Sequence, residues 1–282
     1  GTNSIRLRVW VNPEGGWCGK NDVIAKAWRA QQLGFRLMID FHYSDTWADP
    51  GNQKVPAAWQ GYTAEQMKQA VADHTKDVLT TLKDRGVTNV EWVQVGNETR
   101  DGMLWNSDEA VTGQVSKNAD NFAAYINAGY DAVKAVYPQA KVIVHVDEGN
   151  NLGRYTWLFG ELKKNGGKWD VIGMSLYPED NNWQDLTTNC LNNIKTLSEQ
   201  YNCNVIISEI GMWWGSDQAA PMMKKMVDGC KAISTCEGIF YWEPEVYNNW
   251  KPANYTTLGW SAYTKGAFDN SGKPTAVFDA YK

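Results

Sequence analysis

The sequence predicts an α/β fold in which parallel strands alternate with helices, as in a (β/α)8 TIM barrel. Two observations support this prediction. Short apolar segments rich in β-branched residues recur along the 282 residues, and helical patterns separate them. Strands covered on both faces have this continuous apolar character, and a βαβ alternation builds a parallel sheet. Since no linker or low-complexity segment interrupts the series, we expect residues 1–282 to form a single domain.

The segments expected to form strands are five to seven residues long. They are residues 5–11, 35–41, 90–95, 141–146, 171–176, 204–209 and 238–242. Seven strands leave an eight-stranded barrel one short, and the chain opens almost directly on the first of them. We therefore expect a first β/α unit of about 30 residues to precede this numbering or to be absent from it. Segments 90–95 and 204–209 would then be barrel strands 4 and 7.

Helix signals lie between the strand segments. Thr63 and Gln66 have the spacing of a capping box, and Gly86 is placed to end the helix that this box begins. A second helix is expected over residues 121–137, where Pro138 ends it.

Composition excludes several classes of partner. The net charge is −5 and no basic run is present, so nucleic acid is not an expected partner. The longest apolar runs have the length of strands, so no membrane span is expected. The chain has 15 Trp and 13 Tyr, many beside Gly, Asn, Asp or Pro. Aromatic faces on loops suit the apolar faces of sugar rings, although about half of these side chains would serve a core equally well.

The five cysteines show no metal-binding spacing, and no His-Glu-x-x-His motif occurs, so neither a metal nor another cofactor is expected. Structural calcium is not predicted either: the loop from 245 to about 265 offers few carboxylates, and residues 269–272 have the composition of a simple turn. Cys203 and Cys236 each precede a predicted strand. A disulfide between them and two free thiols are both open alternatives.

Two glutamates lie where two strand segments end. Glu98 closes residues 93–98 and Glu209 closes residues 205–209. Catalytic groups of β/α barrels collect at this edge, and two carboxylates across a cleft can break a glycosidic bond. Either glutamate alone could equally cap a loop or form a salt bridge.

Four longer motifs carry a specific resemblance. Residues 6–13 (RLRVWVNP), 40–53 (DFHYSDTWADPGNQ), 94–98 (QVGNE) and 102–105 (GMLW) resemble glycoside hydrolase family 53, the endo-β-1,4-galactanases. This family belongs to a clan of retaining glycosidases with (β/α)8 barrels and an Asn-Glu pair at the end of strand 4, here Asn97-Glu98. The resemblance covers most of the chain and weakens in the last third, at residues 175–178 (SLYP) and 208–214 (SEIGMWW).

The resemblance implies that Glu98 is the acid/base and Glu209 the nucleophile. Retention requires their carboxyl groups to lie about 5–5.5 Å apart. It also implies a set of sugar-binding or supporting side chains, which are Arg8, His42, Trp47, Asn97, Trp105, His145, Tyr177 and Trp242.

Individual roles within this set follow from position. Asn97 would donate to the sugar 2-hydroxyl, or would serve only as a turn residue. Arg8 would hold the nucleophile carboxylate. Arg6 shares its face of the strand, so the preference for Arg8 rests on the resemblance. Tyr177 would hydrogen-bond the nucleophile, and Trp242 would form the floor beneath the cleaved sugar.

The remaining members have two interpretations each. His42 and His145 would line the sugar site or support it from the core. Trp47 and Trp105 would stack on sugars from loops or pack inside them. The rival carboxylates Glu243 and Glu245, which follow Trp242 in the chain, are expected to be loop groups.

The leading hypothesis is a retaining endo-β-1,4-galactanase that hydrolyses the galactan side chains of pectin. Its alternatives are another endo-glycanase of the clan, acting on mannan, glucan or xylan, and a non-catalytic sugar-binding barrel. The resemblance implies a monomer that is secreted, cell-surface or periplasmic and acts on plant cell-wall galactan or arabinogalactan.

Overall fold

A computed structural model describes residues 1–247 and 263–282. These residues form two compact units. The N-terminal unit contains residues 3–147 and 153–173, and the C-terminal unit contains residues 1–2, 148–152 and the described part of 174–282. The expectation of a single domain stays a prediction.

Seven strands are present in the described residues, and they follow one another in the sheet in chain order. β1 pairs with β2, β2 with β3, β3 with β4, and β6 with β7, all in parallel. Each strand lies within two residues of a predicted segment. The bounds are β1 Ser4–Val9, β2 Arg36–Phe41, β3 Val90–Val95, β4 Lys141–Val146, β5 Val171–Leu176, β6 Asn204–Ile210 and β7 Cys236–Tyr241.

Six α-helices alternate with these strands in the described residues. They are α1 Lys20–Gln32, α2 Ala64–Asp84, α3 Val115–Val136, α4 Leu152–Lys164, α5 Trp183–Tyr201 and α6 Ala219–Ala232. Throughout residues 1–247 and 263–282, none of the helices combines the length and the apolar character that crossing a membrane requires. The parallel β/α fold class predicted from the sequence is therefore confirmed.

The predicted capping box begins α2. The Thr63 hydroxyl accepts the Gln66 N–H at 3.2 Å, and the Gln66 side-chain oxygen accepts the Thr63 N–H at 2.9 Å. α3 differs from its prediction because it begins at Val115 rather than at residue 121. Asn118 interrupts it with non-helical angles (φ −151°, ψ 82°), and its side-chain oxygen accepts the Asn121 N–H at 3.1 Å. The sequence signal at residue 121 therefore marks the restart after a kink.

The disulfide alternative for Cys203 and Cys236 is wrong in this structure, where all five cysteines are free thiols. Val205 of β6, not Cys203, lies opposite Cys236 of β7. Cys203 lies two residues before Val205 in the chain, a separation of roughly 6–7 Å at the usual rise of a strand. The Cys236 thiol instead donates to the Gly238 carbonyl, with Sγ and O 3.7 Å apart.

The apolar face of α2 contains one histidine in an aromatic environment. The rings of Phe41, Tyr43 and Trp59 lie 5.6, 6.3 and 6.2 Å from the His74 ring. The His74 Nε2 is buried and has no hydrogen-bond partner among the described residues. Because this burial disfavours the imidazolium, the pKa of His74 falls to about 4.

The His74→Phe variant is expected to lose part of the acid sensitivity of the fold. Between pH 6.5 and about 4, the unfolded chain binds a proton at residue 74 while the folded protein stays neutral there. As the pH is lowered through this window, the free energy of unfolding therefore falls, by about 3 kcal/mol in total. Above pH 6.5 this contribution is absent.

Urea unfolding of both proteins at pH 7.5, 5.5 and 4.5 measures the difference. Carboxylates contribute equally to both proteins, so the comparison isolates residue 74. An equal loss of stability on acidification in the two proteins would contradict the assignment.

Candidate active site

Polar side chains stand at the C-terminal ends of the strands in the N-terminal unit. Arg8, Asp40 and Gln94 lie side by side on β1, β2 and β3 in the pairing register. Asp40, Gln94 and His145 are fully buried, although the strands around them are apolar. Buried polar groups of this kind need partners, and here they find them in one another.

Asp40 is the centre of this network. Its carboxylate accepts from the Arg6 guanidinium at 2.9 Å, from the Gln94 amide at 2.6 Å and from His42 Nε2 at 3.0 Å. Burial opposes its ionisation. Arg6 and His42 outweigh that effect and hold the pKa of Asp40 below its usual value. A charged carboxylate therefore links three strands at the end of the sheet where the site is built.

The Asp40→Asn variant is expected to lower the free energy of unfolding by about 3 kcal/mol. The substitution removes the negative charge that pairs with the buried Arg6 guanidinium and turns an amide N–H₂ toward other donors. Urea unfolding at pH 7 measures the loss. The control is Asp77→Asn, which breaks an ion pair with Lys20 whose side chains are 57% and 37% exposed. It should change stability by no more than about 0.5 kcal/mol. Equal effects of the two substitutions would contradict the buried-pair interpretation.

His42 has both ring nitrogens engaged within the protein. The Trp10 indole N–H and the Ala48 backbone N–H both donate to Nδ1, each at 3.1 Å. The ring proton therefore lies on Nε2 and is donated to Asp40. These contacts favour the supporting role over direct sugar binding for His42.

Both the oxygen and the nitrogen of the Asn97 side-chain amide form hydrogen bonds within the protein. Its oxygen accepts from Arg6 at 2.8 Å, and its nitrogen donates to the Ala48 carbonyl at 2.8 Å. The Gln53 amide also donates to the Asn97 backbone carbonyl at 2.8 Å. Arg6, rather than Arg8, is thus the arginine that orients Asn97. An amide nitrogen carries two N–H groups, and the bond to Ala48 uses one of them.

Glu98 occupies a left-handed backbone conformation (φ 46°), which a residue with a side chain adopts rarely. The turn is held by His145. Its Nδ1 accepts the Glu98 N–H at 3.3 Å, and its carbonyl accepts the Thr99 N–H at 2.8 Å. Burial, aided by the Arg6 charge, keeps the pKa of His145 well below its usual value, so the ring is neutral and can accept. Such strain is typical of functional turns.

An ion cluster fixes the chain just after Glu98. The Arg100 guanidinium pairs with the Asp147 carboxylate, which also accepts from Arg154 of α4 at 2.8 Å. Asp147 directly follows β4 and is buried. Sequence reasoning missed this group. The available signal was an aspartate one residue beyond a strand end, the same signal that identified the two glutamates.

The predicted aromatic residues of the N-terminal unit are partly packed. The Arg8 guanidinium lies 4.1 Å from the centre of the Trp47 ring, a cation–π contact that orients both groups. The Trp105 indole N–H donates to the Asp101 carbonyl at 2.8 Å. Both tryptophans keep part of their surface exposed. Whether they stack on sugars, and whether Arg8 contacts the nucleophile, stay predictions.

The C-terminal unit contains the other carboxylate. Glu209 lies in β6 one residue before its end and is buried. The Tyr177 hydroxyl, just after β5, donates to Glu209 Oε2 at 2.6 Å. Trp242 directly follows β7, and its backbone N–H donates to the Ile210 carbonyl at 3.0 Å. The Tyr177 hydroxyl therefore fixes the position of the Glu209 side chain.

The described residues contain no group of three or more His, Cys, Asp or Glu side chains that could hold a metal ion. Most of the loop considered for calcium, 245 to about 265, lies outside them. Residues 269–272 form a turn in which the Asp269 side chain accepts the backbone N–H groups of Ser271 and Lys273.

One carboxylate thus follows β3 in the N-terminal unit and another lies near the end of β6 in the C-terminal unit. Carboxylates at the C-terminal ends of strands in a parallel β/α fold are typical of glycoside hydrolases. The chain belongs to glycosyl hydrolase family 53, whose sequence pattern matches residues 1–281.

Individual relatives agree with this assignment. An uncharacterized protein encoded in the bgaB 5′ region of Niallia circulans is 36% identical over 77% of this chain, which spans 58% of that protein's length. An arabinogalactan endo-β-1,4-galactanase of Thermothelomyces thermophilus is 27% identical over all of this chain and 88% of its own length. The family 53 catalytic domain of Ignisphaera aggregans superposes with a TM-score of 0.84 at 26% identity, covering 100% of this chain and 85% of that domain.

Proposed function

We propose that this protein is a retaining endo-β-1,4-galactanase that hydrolyses the β-1,4-galactan side chains of pectin. The observation that carries the proposal is the position of Asn97-Glu98 and Glu209 at the ends of β3 and β6 in a chain of this family. The galactanase name of the Thermothelomyces relative supports the substrate.

Glu209 attacks the anomeric carbon in the first half of the reaction and forms a covalent galactosyl-enzyme. The Tyr177 hydroxyl, 2.6 Å from Glu209 Oε2, holds one carboxylate oxygen so that the other can reach the sugar. This contact preorganises the nucleophile before the substrate arrives.

Glu98 gives its proton to the leaving oxygen and then removes one from the attacking water. The turn held by His145 aims this side chain, and the remaining amide N–H of Asn97 serves the sugar 2-hydroxyl. A carboxyl separation of about 5–5.5 Å between Glu98 and Glu209 belongs to the same proposal, because retention requires it.

The polymeric substrate fits a secreted, cell-surface or periplasmic protein that acts as a monomer on cell-wall galactan or arabinogalactan. No metal or other cofactor is required by the proposed chemistry, since both steps use side-chain carboxyl groups alone.

Reducing-sugar release from potato galactan, compared with mannan, xylan and carboxymethyl-cellulose, tests the substrate. Proton NMR of the first products tests the mechanism, since retention releases the β-anomer before mutarotation. Hydrolysis of galactan alone with β-anomer release is expected. Preferred hydrolysis of another polymer would replace the substrate and keep the mechanism. No hydrolysis of any polymer would favour a sugar-binding barrel.

A further inference from the structure

The loop between β6 and α6, residues 211–218, directly follows the strand that carries Glu209 and contains an exposed tryptophan. Trp213 lies four residues after Glu209, and 51% of its surface is exposed. Loops at the C-terminal ends of the strands form the substrate site in a β/α fold of this kind. A single exposed tryptophan is common on protein surfaces and carries no meaning alone. What sets Trp213 apart is the way in which the loop holds its ring.

The backbone of Gly215 supports one face of the Trp213 ring. A Cβ at position 215 would lie 2.7 Å from Cζ2 of Trp213 and 3.0 and 3.1 Å from Cε2 and Cη2, the two ring atoms bonded to Cζ2. These nearly equal distances put the Cβ position over the ring face, because an approach in the ring plane would leave the two neighbours much farther away than Cζ2. The exposed surface of the indole therefore belongs to its rim and its opposite face.

Hydrogen bonds hold the loop that carries the ring. The Ser216 N–H donates to the Trp213 carbonyl at 3.0 Å and closes a tight turn. The Ser216 hydroxyl donates to the Asp180 carboxylate in the loop after β5 and accepts the Gln218 N–H at 2.9 Å. The Trp183 indole N–H of α5 donates to the Gln218 side chain at 3.1 Å. These contacts preorganise the ring, so little conformational freedom is lost when a ligand stacks on it.

An indole face held in this way suits a neutral sugar ring. The C–H groups on carbons 3, 4 and 5 of β-galactopyranose lie on one face, because the 4-oxygen is axial and points to the other. Galactose therefore has a broad apolar face that an aromatic ring can cover. Residues 208–214 are a part of the chain where the resemblance to family 53 weakens, so the resemblance implies no role for Trp213.

Resting on the proposed function, we propose that Trp213 binds galactan by stacking the exposed face of its indole on the C–H face of one galactose unit. The loop that presents the ring begins where β6 ends, beside the strand position of Glu209. The stacking contact is made equally in the bound substrate and in the transition state, so it contributes to substrate affinity rather than to the rate of bond breaking. Trp213 therefore holds the polymer and takes no part in the chemistry.

Initial rates on galactan with the Trp213→Ala variant test this role. KM is expected to rise by about 3- to 10-fold, the size of one lost aromatic contact, while kcat stays within about 2-fold of the wild-type value. Trp213→Phe keeps an aromatic face and should have a KM within about 2-fold of wild type. Gly215→Ala keeps the indole but displaces it, because its Cβ would collide with Cζ2, and should raise KM as Trp213→Ala does.

Trp28→Ala is the matched control, because Trp28 is 48% exposed on helix α1. It should leave KM and kcat unchanged. A wild-type KM for Trp213→Ala would overturn the inference while the galactanase function stands. A fall in kcat with KM unchanged would overturn it as well, since that result would assign Trp213 to the chemical step. A wild-type protein inactive on galactan would refute the proposed function, and the inference with it.

Discussion

Replacing Glu209 by alanine is expected to reduce kcat/KM on galactan by at least about 10⁴-fold, because no other group can form the covalent intermediate. Glu209 is buried in β6 and held by Tyr177, so the alanine variant loses the attacking atom without losing the strand. The measurement is initial-rate hydrolysis of galactan by the purified variant, with thermal melting to show that it is folded.

Azide makes the test of Glu209 specific to its chemical role. In Glu209→Ala, azide can enter the space of the lost carboxylate and attack an activated aryl β-galactobioside directly, giving the inverted α-galactosyl azide. The control is Glu237→Ala, which removes a glutamate of β7 that is bonded to Asn204 and should retain activity. If Glu209→Ala hydrolysed galactan at a rate close to that of the wild type, Glu209 would not be the nucleophile.

Replacing Glu98 by alanine is expected to reduce hydrolysis of galactan by about 10²- to 10⁴-fold, the usual contribution of general acid–base catalysis. The loss should depend on the leaving group. A sugar needs a proton to depart, whereas an acidic phenol does not. With an aryl β-galactobioside, formation of the covalent intermediate and release of the phenol should therefore stay fast in the variant. Hydrolysis of the covalent intermediate, which needs Glu98 as a base, should become the slow step.

The product formed with azide separates the two carboxylates. In Glu98→Ala the covalent intermediate still forms on Glu209, so azide attacks from the opposite face and gives the retained β-galactosyl azide. Glu91→Ala, which removes a glutamate of the same strand that pairs with Arg36 at 2.9 Å, is the control with unchanged activity. An equal loss on activated and natural substrates would argue that Glu98 is not the acid/base.

The strands and the first long helix could be read from the sequence because their causes are local. The apolar runs and the Thr63–Gln66 capping box depend on neighbours a few residues apart. The start of α3 could not be read, because the side chain of Asn118 competes with the helix for backbone groups. The Cys203–Cys236 pairing failed for a related reason, since register rather than order along the chain sets which thiols meet.

The candidate site was predicted in part. Position at strand ends identified Glu98 and Glu209, and the family resemblance added Asn97 and Tyr177. The supporting groups Asp40 and Gln94 were missed. Their signal was a polar residue inside an apolar strand, near its end. That signal indicates a buried polar side chain that is hydrogen-bonded, but it does not identify the residue to which it is bonded.

The sequence by itself determined the alternation of strands and helices, the family, and the positions of the two carboxylates along the chain. These depend on residue type, spacing and motif. Only the tertiary structure decided which side chains support which. Arg6 reaches Asn97 across 91 positions, and Tyr177 reaches Glu209 across 32. Hydrogen bonds act over about 3 Å in space. Partners so distant along the chain are therefore set by strand register and rotamers, which no local pattern records.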